Sequence, residues 1–264
     1  MGIYPNAYYN YLEDHKAEYH RTKENTCNVI RDIYHECSGS IGHRFMKAFL
    51  DRKNIHLSKT TVHKYMNKEM HLYSICRRKK PNYKKGHPHK LFPNLLKQNF
   101  VANEPNRVWC TDFTYLYLSN GTVRYNCTII DLYDRSVVAS ENGKYITADL
   151  AIRTLDKAIH AQHCDATKLI LHSDQGAQFA SVDFTSFCSL LGITQSMSRA
   201  GCPYDNAPME RYYNTLKAEE IYIHSYDTVQ ILDDAVYEFA YVWYNQIRPH
   251  SYNGYLTPAE KRFG

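Results

Sequence analysis

The chain has 264 residues, of which 44% are hydrophobic, and it carries 32 Lys and Arg against 27 Asp and Glu. This length and composition allow one large core or two smaller ones, which excludes a wholly disordered protein. No run of about 18 apolar residues occurs and the N-terminus lacks the apolar stretch of a signal peptide, so we expect no membrane span and no secretion. Eight cysteines without a C-x-x-C pair are typical of reduced thiols, and we expect a cytoplasmic protein.

Charge is divided unevenly along the chain. Residues 1–100 carry 19 Lys and Arg against 8 Asp and Glu, whereas residues 101–264 carry 13 against 19. A basic first part joined to an acidic second part indicates a module that binds a polyanion, followed by a domain whose acids have another task.

A lead segment, 1–22, precedes three predicted helices in residues 23–75. Apolar residues recur at helical spacing near 25–36 and 41–53, and Ser58 is a candidate N-cap for a third helix that ends near Met70. Two short helices joined by a tight turn are typical of a helix-turn-helix DNA-binding domain. The outward face of the third helix carries the candidate DNA contacts Lys59, Thr60, His63 and Lys64. A structural three-helix bundle with a solvated basic face stays open as the alternative.

Residues 76–103 are predicted to be a basic linker. They contain three prolines and no acidic residue, and their candidate DNA contacts are Arg77, Arg78, Lys79 and Lys80. Prolines keep such a segment extended, so its charges can follow a phosphate backbone. A plain solvated linker is the alternative.

Residues 104–264 alternate between strands and helices. The predicted strands lie near 107–118, 122–131, 135–145, 168–172 and 193–196, and the predicted helices lie near 147–162, near 180–191, from 205 onward and near 228–246. Asn120-Gly121 indicates a two-residue hairpin between the first two strands. This order predicts an α/β fold, a ribonuclease-H-like mixed five-stranded sheet with flanking helices.

Three acids in this domain are candidate catalytic and metal-binding residues. Asp112 lies midway along the first strand, and Asp174 follows a buried strand at the edge where open α/β sheets bind ligands. Glu210 comes 35 residues after Asp174 (not counting either end), enough for one helix, one strand and a loop. We expect the three to converge on one site. Lys217 lies two helical turns after Glu210 on the same face, where it could hold DNA or be a surface lysine.

Carboxylates brought together repel one another and therefore favour a bound cation. Oxygen ligands select hard ions, so we expect Mg²⁺ at this site, with Mn²⁺ as a substitute. Two such ions roughly 3.5–4 Å apart can activate an attacking oxygen and stabilise a leaving oxygen at one phosphorus.

Other acids in the domain are assigned structural or solvent-exposed roles. Asp131 and Asp134 flank a strand end and are expected to serve a turn. Asp205 is expected to cap the helix that carries Glu210. Glu219 and Glu220 lie one turn or more beyond the site and are expected to be solvated.

Several ordered motifs resemble the second-reading-frame (OrfB) product of the two-frame insertion-sequence transposases, the IS-three family, whose carboxylate triad is also that of retroviral integrases. The likeness runs nearly end to end and rests on the segments 8–12, 40–46, 93–96, 105–109, 172–176, 204–207, 216–217 and 244–250. Gly42-His43 departs from the more usual Tyr-Gly order, which affects local helix packing and not the chemistry.

The resemblance implies magnesium-dependent cleavage at the ends of a transposable element and transfer of the freed 3′-hydroxyl to another phosphodiester. Its implied partners are DNA, further copies of the chain on DNA, and the upstream-frame (OrfA) protein or a fusion to it. The expected location is the bacterial cytoplasm, at the nucleoid when the protein is on DNA. Two alternatives are a ribonuclease-H-like nuclease that cuts without joining and an inactive, transposase-derived DNA-binding regulator.

Overall fold

The computed structural model describes residues 17–75 and 90–264. The chain divides into two compact units near residue 76, so the described residues of each unit are taken separately. None of the described helices is long and apolar enough to cross a membrane.

Residues 17–75, the described part of the first unit, form three helices: α1 (Ala17–Glu36), α2 (His43–Arg52) and α3 (Lys59–His63), which continues as a wider π-helical turn, Lys64–Glu69. The Ser58 hydroxyl accepts the Thr61 amide at 3.0 Å, so the predicted N-cap of the third helix is confirmed. The first helix begins earlier than the apolar spacing indicated. Its first turns are exposed on all sides, so they carry no apolar face for a sequence pattern to reveal.

Apolar side chains from all three helices and from the turn after α1 form the core of this unit. The fully buried members include Ile30, Ile33, Ile41, Met46, Leu50, Val62 and Met66. The expected short helices joined by a tight turn, α2 and α3, are therefore present.

A five-stranded mixed sheet forms the centre of the second unit. Its strands are β1 (Val108–Tyr117), β2 (Val123–Asp131), β3 (Val137–Gly143), β4 (Ile170–Ser173) and β5 (Thr194–Met197). The spatial order is β3-β2-β1-β4-β5; the first three strands are antiparallel neighbours, and β4 runs parallel to both β1 and β5. The predicted mixed five-stranded sheet is confirmed.

Helices cover both faces of this sheet. They are α4 (Ala148–Gln162), α5 (Val182–Leu190), α6 (Ala207–Leu216), α7 (Val229–Glu238) and α8 (Pro258–Phe263). Wide π-helical turns continue two of them, Lys217–Ile221 after α6 and Phe239–Ile247 after α7.

Successive side chains of β1 point to opposite faces of the sheet and therefore pack in two separate hydrophobic cores. Trp109 and Phe113 pack with residues of α4 and α5, whereas Cys110 and Leu116 pack with residues of α6 and α7. Asp112 shares the face of Cys110 because the side-chain period of a strand is two.

The hairpin between β1 and β2 is longer than predicted. The Leu118 amide donates to the Thr122 carbonyl and the Gly121 amide donates to the Leu118 carbonyl, both at 3.0 Å. These bonds enclose a three-residue loop, with Gly121 in the left-handed conformation at φ 82°. A three-residue loop closed by a left-handed glycine is the next most common hairpin, so the local signal was correct and the loop length was not.

Residues 90–103, expected in the linker, belong to the second unit and pack against its sheet and helices. Leu96 is buried in the core beside α6, and the Pro93 carbonyl accepts the Met197 amide at 3.3 Å. The Leu95 amide donates to Ser196 Oγ at 2.9 Å. This segment thus covers the edge of β5, which would otherwise present unpaired backbone groups.

Candidate active site

Asp112 is positioned by the neighbouring strand β2 and by helix α6. It lies opposite Thr128 in the β1–β2 register, and its carboxylate accepts the Phe113 amide at 2.7 Å. The Tyr213 hydroxyl, from α6, donates to the Asp112 carbonyl at 2.6 Å and accepts the Thr128 amide at 3.1 Å. The backbone that carries Asp112 is therefore tied to the helix that carries Glu210.

Asp174 directly follows β4, at the carboxyl end of the strand as predicted. Its Oδ1 accepts the Gly176 amide at 2.9 Å, which folds the chain into a tight turn around the carboxylate. Space is limited there, because a Cβ on Gly176 would lie 2.9 Å from that same oxygen. Burial raises the pKa of Asp174 above its usual value.

Glu210 lies in the first turn of α6 and is exposed. Asn206, just before the helix, donates through Nδ2 to the Thr111 carbonyl at 3.2 Å, which fixes the helix start beside β1. Burial raises the pKa of Asp112 well above its usual range, and the nearby carboxylates of Asp174 and then Glu210 raise it further. The three acids therefore share one electrostatic environment.

Lys217 acts electrostatically on Asp112. Its charge lowers the pKa of Asp112, while burial lowers the pKa of Lys217 itself. The charge of Lys217 is therefore near enough to Asp112 to affect it, and the contact of Lys217 with DNA stays a prediction. In the described part of the chain, no ion pair and no side-chain hydrogen bond reaches the carboxylates of Asp112, Asp174 or Glu210.

No three His, Cys, Asp or Glu side chains within residues 17–75 and 90–264 form a group that could hold a metal ion. Asp112 and Asp174 are the more enclosed members of the candidate triad, and Glu210 is the exposed one.

Three acids differ from their predicted roles. Asp205 does not cap α6; it is completely buried and accepts hydrogen bonds from Arg199, Asn94 and Gln98. Glu219 is not solvated; its carboxylate accepts the Arg248 guanidinium at 2.7 and 2.8 Å and lies 3.2 Å from Trp243 Nε1. Glu220 is half-buried rather than solvated, and its carboxylate accepts the Tyr226 hydroxyl at 2.7 Å. The errors for Asp205 and Glu219 have one cause, because partners distant in sequence leave no trace in local spacing.

Asp131 and Asp134 serve turns as predicted, accepting the amides of Tyr133 and Ser136 at 2.9 and 2.8 Å. They have a second task that the sequence did not reveal. Both are fully buried, and Arg262 of α8 pairs with each of them at 2.5 Å. The last helix is thereby fastened to the end of β2.

His172, in β4, is a buried residue that sequence reasoning did not single out. Its Nε2 lies 2.9 Å from the Asp205 carbonyl and its Nδ1 lies 2.8 Å from Ser196 Oγ. A carbonyl only accepts, so Nε2 carries the proton and Nδ1 accepts from the serine hydroxyl. Burial lowers the pKa of His172, which therefore stays neutral and joins β4 to β5 and to the turn before α6.

The candidate DNA contacts of α3 differ in exposure. Lys59, Thr60 and Lys64 are exposed, and Lys64 lies 3.8 Å from Glu69. His63 is half-buried, with its ring edge-on to that of His43 at 4.9 Å. Arg77, Arg78, Lys79 and Lys80 lie outside the described residues.

The sheet order, the acids at strand centre, strand end and helix start, and the preceding small helical unit define a protein of the integrase-core class. Models described as integrase core domain match residues 102–203 and 191–258, and a model described as HTH-like domain matches residues 22–80.

Two known transposases are similar to this chain in sequence. The transposase for insertion sequence element IS904 of Lactococcus lactis subsp. lactis is 32% identical over 235 residues, which are 88% of this chain and 90% of that protein. The transposase InsF for insertion sequence IS3A of Escherichia coli is 34% identical over 167 residues, 63% of this chain and 57% of that protein.

Among solved structures, a chain of the simian T-cell lymphotropic virus intasome in complex with the PP2A regulatory subunit B56 gamma is similar in fold. Its TM-score is 0.50 at 19% identity, covering 83% of this chain and 70% of that one. The chain belongs to the IS-three family of insertion-sequence transposases, and it is an enzyme of the polynucleotidyl transferase class that acts on DNA.

Proposed function

We propose that this transposase cleaves DNA at the ends of its element and joins the freed 3′-hydroxyl to a target phosphodiester, with Asp112, Asp174 and Glu210 as its catalytic residues. The observation that carries the proposal is electrostatic. Burial, then the carboxylate of Asp174 and then that of Glu210 raise the pKa of Asp112, whereas the charge of Lys217 lowers it. Carboxylates that lie this close are stabilised in their ionised form only when cations bind to them.

As placed in the structure, no three acids of the described residues form a group that could hold a metal ion, so binding requires the three carboxylates to move together. Their chemistry fits a hard divalent ion, because carboxylate oxygens are its preferred ligands and no side chain of the described residues bonds to them. Bound there, two Mg²⁺ ions, or Mn²⁺ in their place, would activate the attacking oxygen and stabilise the leaving oxygen. Glu210 is exposed and has the longest side chain of the three, so it is the ligand best able to move toward the two aspartates.

The chain's own side chains divide the remaining work. The backbone hydrogen bonds of Asp112 and Asp174 hold these two carboxylates in place, which positions the reacting groups in advance. Lys217, on the same side as the acids, holds a phosphate of the DNA strand that enters the site.

DNA affinity comes from the basic part of the chain. Lys59, Thr60 and His63 of α3, Lys64 directly after it, and Arg77 to Lys80 further along the chain contact phosphates and base edges. One short helix-turn-helix reads only a few base pairs, so specific end recognition requires self-association on DNA and the upstream-frame (OrfA) protein or a fusion to it. Such a protein works in the bacterial cytoplasm, at the nucleoid.

The test is a gel assay of this chain together with the upstream-frame protein, on a labelled duplex bearing an element end, with a target plasmid and Mg²⁺. Strand-transfer products from the wild-type protein, absent with Asp112→Asn and with Asp174→Asn but present with the exposed-acid control Asp149→Asn, support the proposal. Cleavage without joining would indicate a nuclease. The absence of both cleavage and joining would indicate a DNA-binding regulator.

A further inference from the structure

The carboxylate of Asp205, which is not a member of the candidate triad, is surrounded by hydrogen-bond donors. Its side chain is fully buried and accepts five hydrogen bonds. Three come from the amide, Nε and Nη2 of Arg199, at 3.0, 3.0 and 3.2 Å. The other two come from Asn94 Nδ2 at 2.9 Å and Gln98 Nε2 at 2.8 Å. A buried carboxylate so fully paired cannot move without breaking several bonds at once.

The partners of Asp205 belong to three different parts of the second unit. Arg199 begins the loop after β5, and Asn94 and Gln98 lie in the segment that covers the edge of β5. The Asp205 carbonyl accepts His172 Nε2, two residues before Asp174. The residue therefore joins the covering segment, the loop and β4 at one point.

The same point determines where α6 begins. Asn206, the next residue, bonds to the Thr111 carbonyl beside Asp112, and α6 starts at Ala207 with Glu210 in its first turn. Asp205 is thus close in sequence to Glu210 and in contact with the chain near Asp174. Helix capping needs none of these long-range bonds, since a local hydroxyl or carboxylate would suffice.

We propose that Asp205, supported by Asn94 and Gln98, is a positioning residue that sets where Glu210 stands relative to Asp112 and Asp174. The proposal rests on the proposed role of those three acids. Asn94 and Gln98 lie before residue 102, where the integrase core match begins, so part of the site's support comes from outside that match. Residues that orient ligands without touching the ion typically change metal affinity when they are altered.

The experiment measures Mn²⁺ binding to the full-length, DNA-free protein by calorimetry, well below the melting temperature, with circular dichroism to confirm folding. Asp205→Asn keeps the shape but turns one acceptor into a donor that faces other donors. The matched control is Asp131→Asn, because Asp131 is equally buried and also paired with an arginine, but serves the C-terminal helix.

The expected result is a rise of about tenfold or more in the Mn²⁺ dissociation constant for Asp205→Asn, and less than about twofold for Asp131→Asn. Equal shifts in the two variants would overturn the proposal, because they would reflect general loss of stability. If Asp205→Asn does not fold, the double variant Asn94→Ala with Gln98→Ala gives the same comparison, and unchanged Mn²⁺ affinity there would overturn it.

Failure of this inference is separable from failure of the proposed function. If Asp112→Asn abolishes strand transfer while Asp205→Asn leaves Mn²⁺ affinity unchanged, the triad stands and only the role of Asp205 falls. If Asp112→Asn remains active, the proposed function falls first.

Discussion

Gly176→Ala tests how tightly the Asp174 carboxylate is confined. The added Cβ would lie 2.9 Å from Asp174 Oδ1 and 2.3 Å from Gln178 Nε2, whereas ordinary van der Waals contact begins at 3.4 Å. The glutamine amide is the end of a flexible side chain and can rotate away. Asp174 Oδ1 accepts a hydrogen bond from the amide of residue 176, so it cannot rotate away freely. To reach ordinary contact distance, the oxygen and the turn that holds it must shift by about 0.5 Å.

A misplacement of about 1 Å can cost about 100-fold in rate, so a shift of half that size predicts a loss of about tenfold. The assay is the cleavage rate of a labelled element-end duplex at saturating Mg²⁺, with thermal denaturation in parallel. Gln178→Ala alone should stay near wild type, and Gly176→Ala with Gln178→Ala should remain impaired. Full recovery in the double variant would refute the reasoning, because the glutamine would then be the only obstacle.

Three further outcomes are expected. The pKa of Asp112 is higher in the folded than in the unfolded protein, so folding takes up a proton between the two values and stability falls as pH rises above about 4. Without metal, Asp112→Asn should therefore raise the melting temperature at pH 8 more than at pH 5; an equal effect at both would contradict this. Arg262→Met leaves two buried carboxylates unpaired, which costs about 3–5 kcal/mol and lowers the melting temperature by about 6–20 °C. The exposed-pair control Arg153→Met should change it by no more than about 2 °C, and similar losses would refute the argument. Lys59→Gln with Lys64→Gln should weaken duplex binding and reduce its salt slope by about two, whereas an unchanged slope would show that both charges are merely solvated.

The sheet could be predicted because its strands carry strong local signals. β1 is rich in aromatic and β-branched residues, and β4 begins within a short apolar run, 169–171, that precedes Asp174. The element order then restricted the topology to a mixed sheet. The same reasoning predicts that Asp112, Asp174 and Glu210 meet at one edge of the sheet, since strand ends and helix starts recur there, and their catalytic role stays a prediction.

The support of the site could not be predicted in the same way. Asp205 and Asn94 are 111 residues apart, and Glu219 and Arg248 are 29 apart, so no periodicity links either pair. A short polar sequence before a helix looks the same whether its acid caps the helix or is buried with distant donors. Residues 90–103 resemble a linker in composition, yet their packing depends on the exposed edge of β5, which only the folded sheet creates.

Glu210→Gln tests the central claim most directly, since the amide keeps the shape of the side chain and removes the charge that would hold a metal ion. The matched control is Glu220→Gln, further along the same helical segment, where the carboxylate accepts the Tyr226 hydroxyl at 2.7 Å. The measurement is the rate of strand transfer at saturating Mg²⁺, with the dissociation constant for element-end DNA determined on the same preparations. We expect Glu210→Gln to abolish strand transfer with DNA affinity nearly intact, and Glu220→Gln to retain both. Strand transfer by Glu210→Gln at close to the wild-type rate would contradict the assignment of the catalytic acids.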